Sequence, residues 1–111
     1  MKVAVIGSRT FDDYDRLKKV LNNLTISHFI SGGAIGADKL GERYADENSI
    51  PKTIHLPDWD KHGKAAGFIR NSDIINDSDM IVACWDGKSR GTRNSMGKAH
   101  KLKKDIFILY F

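Results

Sequence analysis

The stretch "SGGAIGAD", residues 31–38, follows the apolar run "HFI" (28–30) and precedes "KLGERYADENS" (39–49), which has the composition of a helix. Three glycines and two alanines fall within these eight positions. A plain turn between a strand and a helix needs one glycine. Two physical demands ask for more: a helix packed tightly against its strand, or a backbone that must come close to a bound group. Under either demand the local order is strand, glycine turn, helix. That unit recurs along the chain.

Working outward, "KVAVIG" (2–7) is a short β-branched run ended by glycine and reads as a buried strand. "DDYDRLKKVLNNL" (12–24) then carries Tyr14, Leu17, Val20, Leu21 and Leu24 at helical spacing, with acidic residues in its first turn. After "SHFIS" (27–31) and the glycine loop, Ala37, Leu40, Tyr44 and Ala45 share one helix face, and Pro51 introduces the strand "KTIHL" (52–56). "PDWDKHGKAAG" (57–67) reads as a polar connection, "FIRNSDIIND" (68–77) as a helix and "DMIVACW" (79–85) as the fourth strand. "DGKSRG" (86–91) reads as a loop, "TRNSMGKAHKLKK" (92–104) as the last helix and "IFILYF" (106–111) as the closing strand.

Alternation of this kind predicts an α/β fold: a single Rossmann-like domain over residues 1–111, with a five-stranded parallel sheet and helices on both faces. Composition agrees. Hydrophobic residues at 41% and charged residues at 29% are ordinary for a globular chain long enough for one core. No apolar run has the length of a signal peptide core or a membrane span, so the expectation is a cytoplasmic protein with no membrane partner. Cys84 is the single cysteine and lies in an apolar strand, which suits a buried packing residue in a reducing compartment. His28, His55, His62 and His100 have no ligand spacing, so no metal and no cofactor are expected. The net charge of +4 suits a phosphate-bearing partner and equally suits many proteins without one.

In parallel sheets of this type ligands bind beyond the C-terminal strand ends, near the switch in strand order. Four loops should gather there: "GSRTF" (7–11), "SGGAIGAD", "PDWDKHGKAAG" and "WDGKSRGT" (85–92). The glycine loop, with Ser31, Gly32, Gly33, Gly36 and Asp38, has the context in which backbone N–H groups cradle a phosphate, although it matches neither the Walker nor the dinucleotide spacing. Gly7, Ser8 and Arg9 repeat the theme after the first strand. Ser89, Arg90 and Gly91 form a third anion-friendly turn, with Thr92 as the expected N-cap of the last helix. Trp59 and Trp85 could stack on a base, and Asp58 and Asp86 could accept from ribose hydroxyls. Three such loops on one edge favour a phosphorylated ligand over packing alone.

Together "GSRTF", "SGGAIGADKLGERYA" (31–45), "PDWDKHGKAAGFIRN" (57–71) and "WDGKSRGTRN" (85–94) resemble the small bacterial and phage YspA-like proteins of the SLOG superfamily. The resemblance spans almost the whole chain. It implies a Rossmann-like fold, a homodimer, and kinship with LOG-type nucleotide phosphoribohydrolases, with DNA-processing protein A and with sensors of ADP-ribose-like signals. By that likeness Arg70, with Asn71 beside it, stands at the arginine of the LOG-type enzymes, and Gly91–Thr92 at their glycine–threonine motif. Their catalytic glutamate position holds Ser95, which cannot stabilise an oxocarbenium-like state as a carboxylate would. The reading therefore favours binding of a nucleotide or nucleotide-derived, ADP-ribose-like ligand, for sensing or sequestration. Hydrolysis or transfer at an N-glycosidic bond is the runner-up, with Arg70, Asp38 and Asp86 as the catalytic candidates, and single-stranded DNA binding is the third. A phage-encoded copy would act in the host cytoplasm.

Overall fold

The computed structural model describes all 111 residues. Its elements are β1 (Lys2–Gly7), α1 (Tyr14–Leu21), β2 (His28–Ser31), α2 (Ala37–Glu47), β3 (Lys52–Ile54), α3 (Trp59–His62), α4 (Ala66–Asp77), β4 (Met80–Trp85), α5 (Arg90–Lys101) and β5 (Asp105–Tyr110). A 3₁₀ turn, Gly63–Ala65, joins α3 to α4. The five strands form one parallel sheet in the order β3-β2-β1-β4-β5. The chain steps outward from β1 to β3, then crosses back to lay β4 on the other side of β1. This is the Rossmann-like arrangement expected from the sequence, and its switch point lies between the C-terminal ends of β1 and β4.

Strand alternation divides the core into two layers. Val3 and Val5 face the same way as Phe29, Val82, Cys84 and Leu109, and they pack under Leu17 and Leu21 of α1 and Tyr44 and Ala45 of α2. Ala4 and Ile6 face the opposite way with Ile30, Ile81 and Ala83, beneath Ile74 and Ile75 of α4 and Ala99 of α5. Both faces of β1 and β4 are thus covered, which is why these strands read as continuous apolar runs. Cys84 is fully buried, as its setting in the sequence suggested.

Three local readings change. The connection 57–67 is not irregular throughout, because the Asp58 carboxylate accepts from the Lys61 N–H at 3.0 Å and caps the short helix α3. Helix α1 ends at Leu21 and not at Leu24: the two asparagines that follow favour turns, and the Leu24 N–H closes a tight turn on the Leu21 carbonyl at 3.0 Å. Helix α5 starts at Arg90, with Ser89 and not Thr92 at its N-cap. The cause lies upstream, where the Asp86 carboxylate accepts from the N–H groups of Lys88 and Ser89, both at 2.8 Å, and turns the chain early.

Gly36 shows why the glycine loop cannot use larger residues. Its φ is +85°, and a Cβ there would lie 2.5 Å from the Ser8 carbonyl oxygen and 2.6 Å from that of Arg9. The obstacle is backbone, which cannot swing aside. Gly97, in the middle of α5, is the opposite case, with no atom within 4 Å of the Cβ position. Gly36→Ala is therefore expected to destabilise the protein by roughly 2–4 kcal/mol, combining left-handed strain with overpacking. Gly97→Ala is expected to be neutral or stabilising by up to about 1 kcal/mol. Urea unfolding of the two variants beside the parent measures both, and similar midpoints would contradict this account of the loop.

Candidate functional site

A cleft of about 410 Å³ opens at the switch point. Its walls come from the end of β1 and the turn after it (Ile6, Gly7, Ser8, Arg9, Thr10), the glycine loop and α2 (Ala34, Asp38) and α4 (Arg70, Asn71, Ile74). The far wall is Asp86, Ser89, Gly91, Thr92 and Ser95. Ten of the residues singled out from the sequence as ligand-binding therefore meet here: Gly7, Ser8, Arg9, Asp38, Arg70, Asn71, Asp86, Ser89, Gly91 and Thr92.

Ser8 holds three of these segments together. Its N–H donates to the Cys84 carbonyl at 2.9 Å, and its own carbonyl accepts from Phe11 N–H at 3.2 Å and Ala37 N–H at 3.4 Å. Its hydroxyl accepts from the Asp86 N–H at 3.3 Å. The β1 turn, the start of α2 and the β4 turn are thus tied to one buried serine. Gly7 is part of the same junction, since a Cβ on it would strike the Cys84 carbonyl. Arg9, next in sequence, is exposed at the cleft and pairs with no carboxylate.

The first turn of α5 forms the far wall. Ser89 stands at its N-cap position without a side-chain cap bond, Ser89 Oγ and Thr92 Oγ1 lie 3.2 Å apart, and Ser95 is buried one turn further on. Gly91 lines the cleft with no atom within 4 Å of its Cβ position, so nothing in the protein explains its small size. Free N–H groups of a helix start, three hydroxyls and a nearby arginine make a wall suited to an anion.

The opposite wall carries charge differently. Asp38 is 6% exposed, and its Oδ2 accepts from the Ala34 N–H at 3.3 Å. Burial pushes its carboxyl up to about 6, against the opposing pull of the Ala34 N–H and the Arg70 charge. Arg70 donates from Nη1 to the Gly32 carbonyl at 2.6 Å and from Nε to Asn71 Oδ1 at 3.0 Å. The remaining N–H groups of its guanidinium are left for a ligand. The backbone N–H groups of Lys88 and Ser89 hold the Asp86 carboxyl below the usual range. Both of those bonds go to Oδ1, and Asp86 lines the cleft with Oδ2 left as an acceptor. Asp58 caps α3.

Several expected ligand residues do not line the cleft. Ser31 is buried and donates to Glu42 Oε2 at 2.8 Å. A Cβ on Gly32 would meet Arg70 Nη1 at 2.7 Å, and one on Gly33 would meet Leu56 Cδ2 at 2.9 Å. Gly36 is kept small by the backbone of the β1 turn and Gly33 by its left-handed φ of +73°, while only side-chain ends face Gly32. Trp59 is 58% exposed on α3, away from the cleft wall. Trp85 donates from Nε1 to the Ser89 carbonyl at 3.1 Å and tilts on Tyr110, with ring centroids 5.8 Å apart. Arg90 points along the other side of α5. Sequence reading passed over Thr10, Ala34 and Ile74. No group of three or more His, Cys, Asp or Glu side chains is placed to hold a metal ion, and no helix is long and apolar enough to cross a membrane.

With this geometry in hand, the chain can be set beside known proteins. The model of the YspA, cpYpsA-related SLOG family matches residues 1–62. The Gene 61 protein of Mycobacterium phage D29 is 32% identical over 114 residues, covering 90% of this chain and 89% of that protein. DNA processing protein A from Streptococcus pneumoniae superposes with a TM-score of 0.80 at 20% identity, over 96% of this chain and 49% of that one. The same protein from Helicobacter pylori, in a structure describing its single-stranded DNA binding mode, gives a TM-score of 0.75 at 22% identity, over 97% of this chain and 64% of that one. The chain therefore spans about half to under two thirds of these solved structures, and at such identities they show a shared fold.

The raised carboxyl of Asp38 has a measurable sign. A buried acid whose folded pKa lies above its unfolded value destabilises the fold increasingly as pH rises from about 4 to about 6, and by a constant amount above that. Asp38→Asn keeps an acceptor for the Ala34 N–H and removes the charge. It should raise stability at pH 8 by roughly 2–3 kcal/mol, with the advantage fading as pH falls to 4. Thermal melts of both proteins across that range test this, and a variant less stable at pH 8 would show that the charge is compensated.

Proposed function

Because this chain belongs to the YspA, cpYpsA-related SLOG family, we propose that its 111 residues form one nucleotide-binding domain whose cleft takes a phosphorylated, nucleotide-derived small molecule, an ADP-ribose-like ligand among them. The observation that carries this reading is the α5 wall. An uncrowded glycine at a helix start, flanked by Ser89, Thr92 and Ser95 and faced by Arg9, is what a phosphate requires. Arg70 would meet a second phosphate or a ribose oxygen from the other wall. Asp38 would accept from a ribose hydroxyl, which also compensates its burial. The wide, polar-walled cleft suits sensing or sequestration of such a ligand. Its preferred base is left to the ligand panel below.

Hydrolysis of an N-glycosidic bond has one observation in its favour. Asp38 is a buried carboxyl in the cleft, and its pKa of about 6 suits general acid–base work near neutrality. Against it stands Ser95, a hydroxyl at the position where the LOG-type enzymes carry a carboxylate. Incubation with nucleoside monophosphates is expected to release no more free base than buffer alone. Multiple turnovers abolished by Asp38→Asn would make the cleft an active site.

A homodimer belongs to the same proposal. The edge strand β5 exposes Phe107 and Tyr110, and Phe111 follows it. An open apolar edge of this kind is a place for a second copy to pair, and sedimentation of the purified chain measures whether it does.

Calorimetric titration with nucleoside mono- and diphosphates and ADP-ribose tests the binding reading. At least one should bind, and Arg9→Ala should weaken it about ten-fold. Gly91→Leu should abolish binding while leaving the melting temperature within a few degrees, since the new side chain starts in open space. A small ligand has no condensed counterion atmosphere to release, so its affinity should fall only shallowly with salt. If no member of the panel binds, or if Gly91→Leu binds as the parent does, the cleft is not a phosphate site.

A further inference from the structure

Arg90 and Gly91 are adjacent in sequence, yet they serve different surfaces. Gly91 faces the cleft, while Arg90 opens a second groove of about 420 Å³ between α5 and α4. The groove is lined by Phe68, Arg90, Arg93, Asn94, Gly97, Lys98 and Lys101. Four of these are cations and none is an acid. Arg90, Arg93 and Lys101 are exposed and make no ion pair. Lys98 is fixed by donating to the Phe68 carbonyl at 2.8 Å and to Ser72 Oγ at 2.7 Å.

Four further features distinguish this groove from a merely solvated basic face. Positions 90, 93, 97 and 101 form one stripe along α5, about 16 Å from end to end at the helical rise. Gly97, at the middle of the stripe, has no atom within 4 Å of its Cβ position, so helix α5 carries a poor helix former there without a packing reason. Asn94 Oδ1 is buried and has no hydrogen-bond partner. At the rim Phe68 is 51% exposed, with the Lys98 ammonium 6.0 Å from its ring centroid. A row of unpaired cations, an open backbone between them and an exposed aromatic ring together suit a strand that is both anionic and flat-faced.

We propose that the α4–α5 groove binds the sugar–phosphate backbone of single-stranded nucleic acid, with a base stacked on Phe68, as a site separate from the cleft. In a helically stacked strand the phosphates advance about 3.4 Å per nucleotide along the axis, so the cationic stripe runs past several of them. Arg90, Arg93 and Lys101 would meet the phosphates, and the absence of a side chain at Gly97 would let the backbone settle against the helix. This inference does not depend on what the cleft holds.

Fluorescence anisotropy with a labelled oligothymidylate, across a salt series, tests it on the whole chain. Three phosphate contacts should give a slope of about −2 in log K against log salt. Arg93→Glu with Lys101→Glu, both at exposed positions, should weaken binding at least ten-fold at low salt. Phe68→Ala should weaken it about five-fold, the loss of one stacked base. Gly91→Leu, which obstructs the cleft, should leave oligonucleotide binding unchanged, so failure of the cleft reading and failure of this one are separate results. The proposal is overturned if the oligonucleotide does not bind at low salt or if the charge-reversed variant binds as the parent does. It is equally overturned if polyglutamate competes as well as the oligonucleotide does while Phe68→Ala changes nothing, which would mark an acidic-peptide surface.

Discussion

Ser8 and Gly36 meet where two chain segments far apart in sequence come within contact, and the cleft exists because they can. The carbonyl of Ser8 accepts from the first N–H of α2, and only a glycine at 36 lets the backbones approach that closely. The hydroxyl of the same serine holds the N–H of Asp86, which in turn sets the turn that starts α5. A larger residue at 36 would push α2 away from β1. The displacement would carry through Ser8 to the wall formed by Ser89, Gly91 and Thr92. Position in this fold is set by backbone contacts, and the side chains that face the cleft inherit it.

The two walls of the cleft are unlike, and the difference is electrostatic. The α5 wall offers hydroxyls and helix-start N–H groups, and its one carboxylate, Asp86, is turned onto the N–H groups of Lys88 and Ser89. The α2 wall has its helix start answered by its own Asp38, held at Ala34 and close to Arg70. Hydroxyl acceptance falls mainly to the Asp38 side, while cations stand on both, Arg9 after β1 and Arg70 on α4. A ligand with a phosphate at one end and hydroxyls at the other would be oriented by this asymmetry before any specific contact to a base forms.

The fold was legible because its signals are local: two-residue alternation in β1 and β4, helical spacing of Leu17 and Leu21, and glycine turns between them. The cleft was half legible. Its loops could be placed on one edge from strand order alone, and Arg9, Arg70, Ser89 and Gly91 carry chemistry visible in their residue types. What could not be read were contacts across long separations. Nothing in "SGGAIGAD" says that Gly36 abuts the Ser8 and Arg9 carbonyls, or that Gly32 lies beside the Arg70 guanidinium. The caps made by Asp86 and Asp58 were missed because their partners are backbone N–H groups two or three residues on, and such capping leaves little trace in composition. Helix α3 escaped because four residues show no periodicity. The cations of α5 lie on one helix, and only the packing of α4 beside them turns that face into a groove.

Cys84 is the single thiol, fully buried under the Ser8 junction, with its carbonyl on the Ser8 N–H and its own pKa pushed up to about 12 by burial. In the closed molecule such a sulfur is almost wholly protonated and shielded, so it is chemically silent. An alkylating reagent can reach it only when the layer of α1 and α2 lifts from the sheet. The rate of its modification is thus a clock for the opening of that layer. A molecule that knits α2 to the β1 turn would slow that clock without any probe being added to the protein.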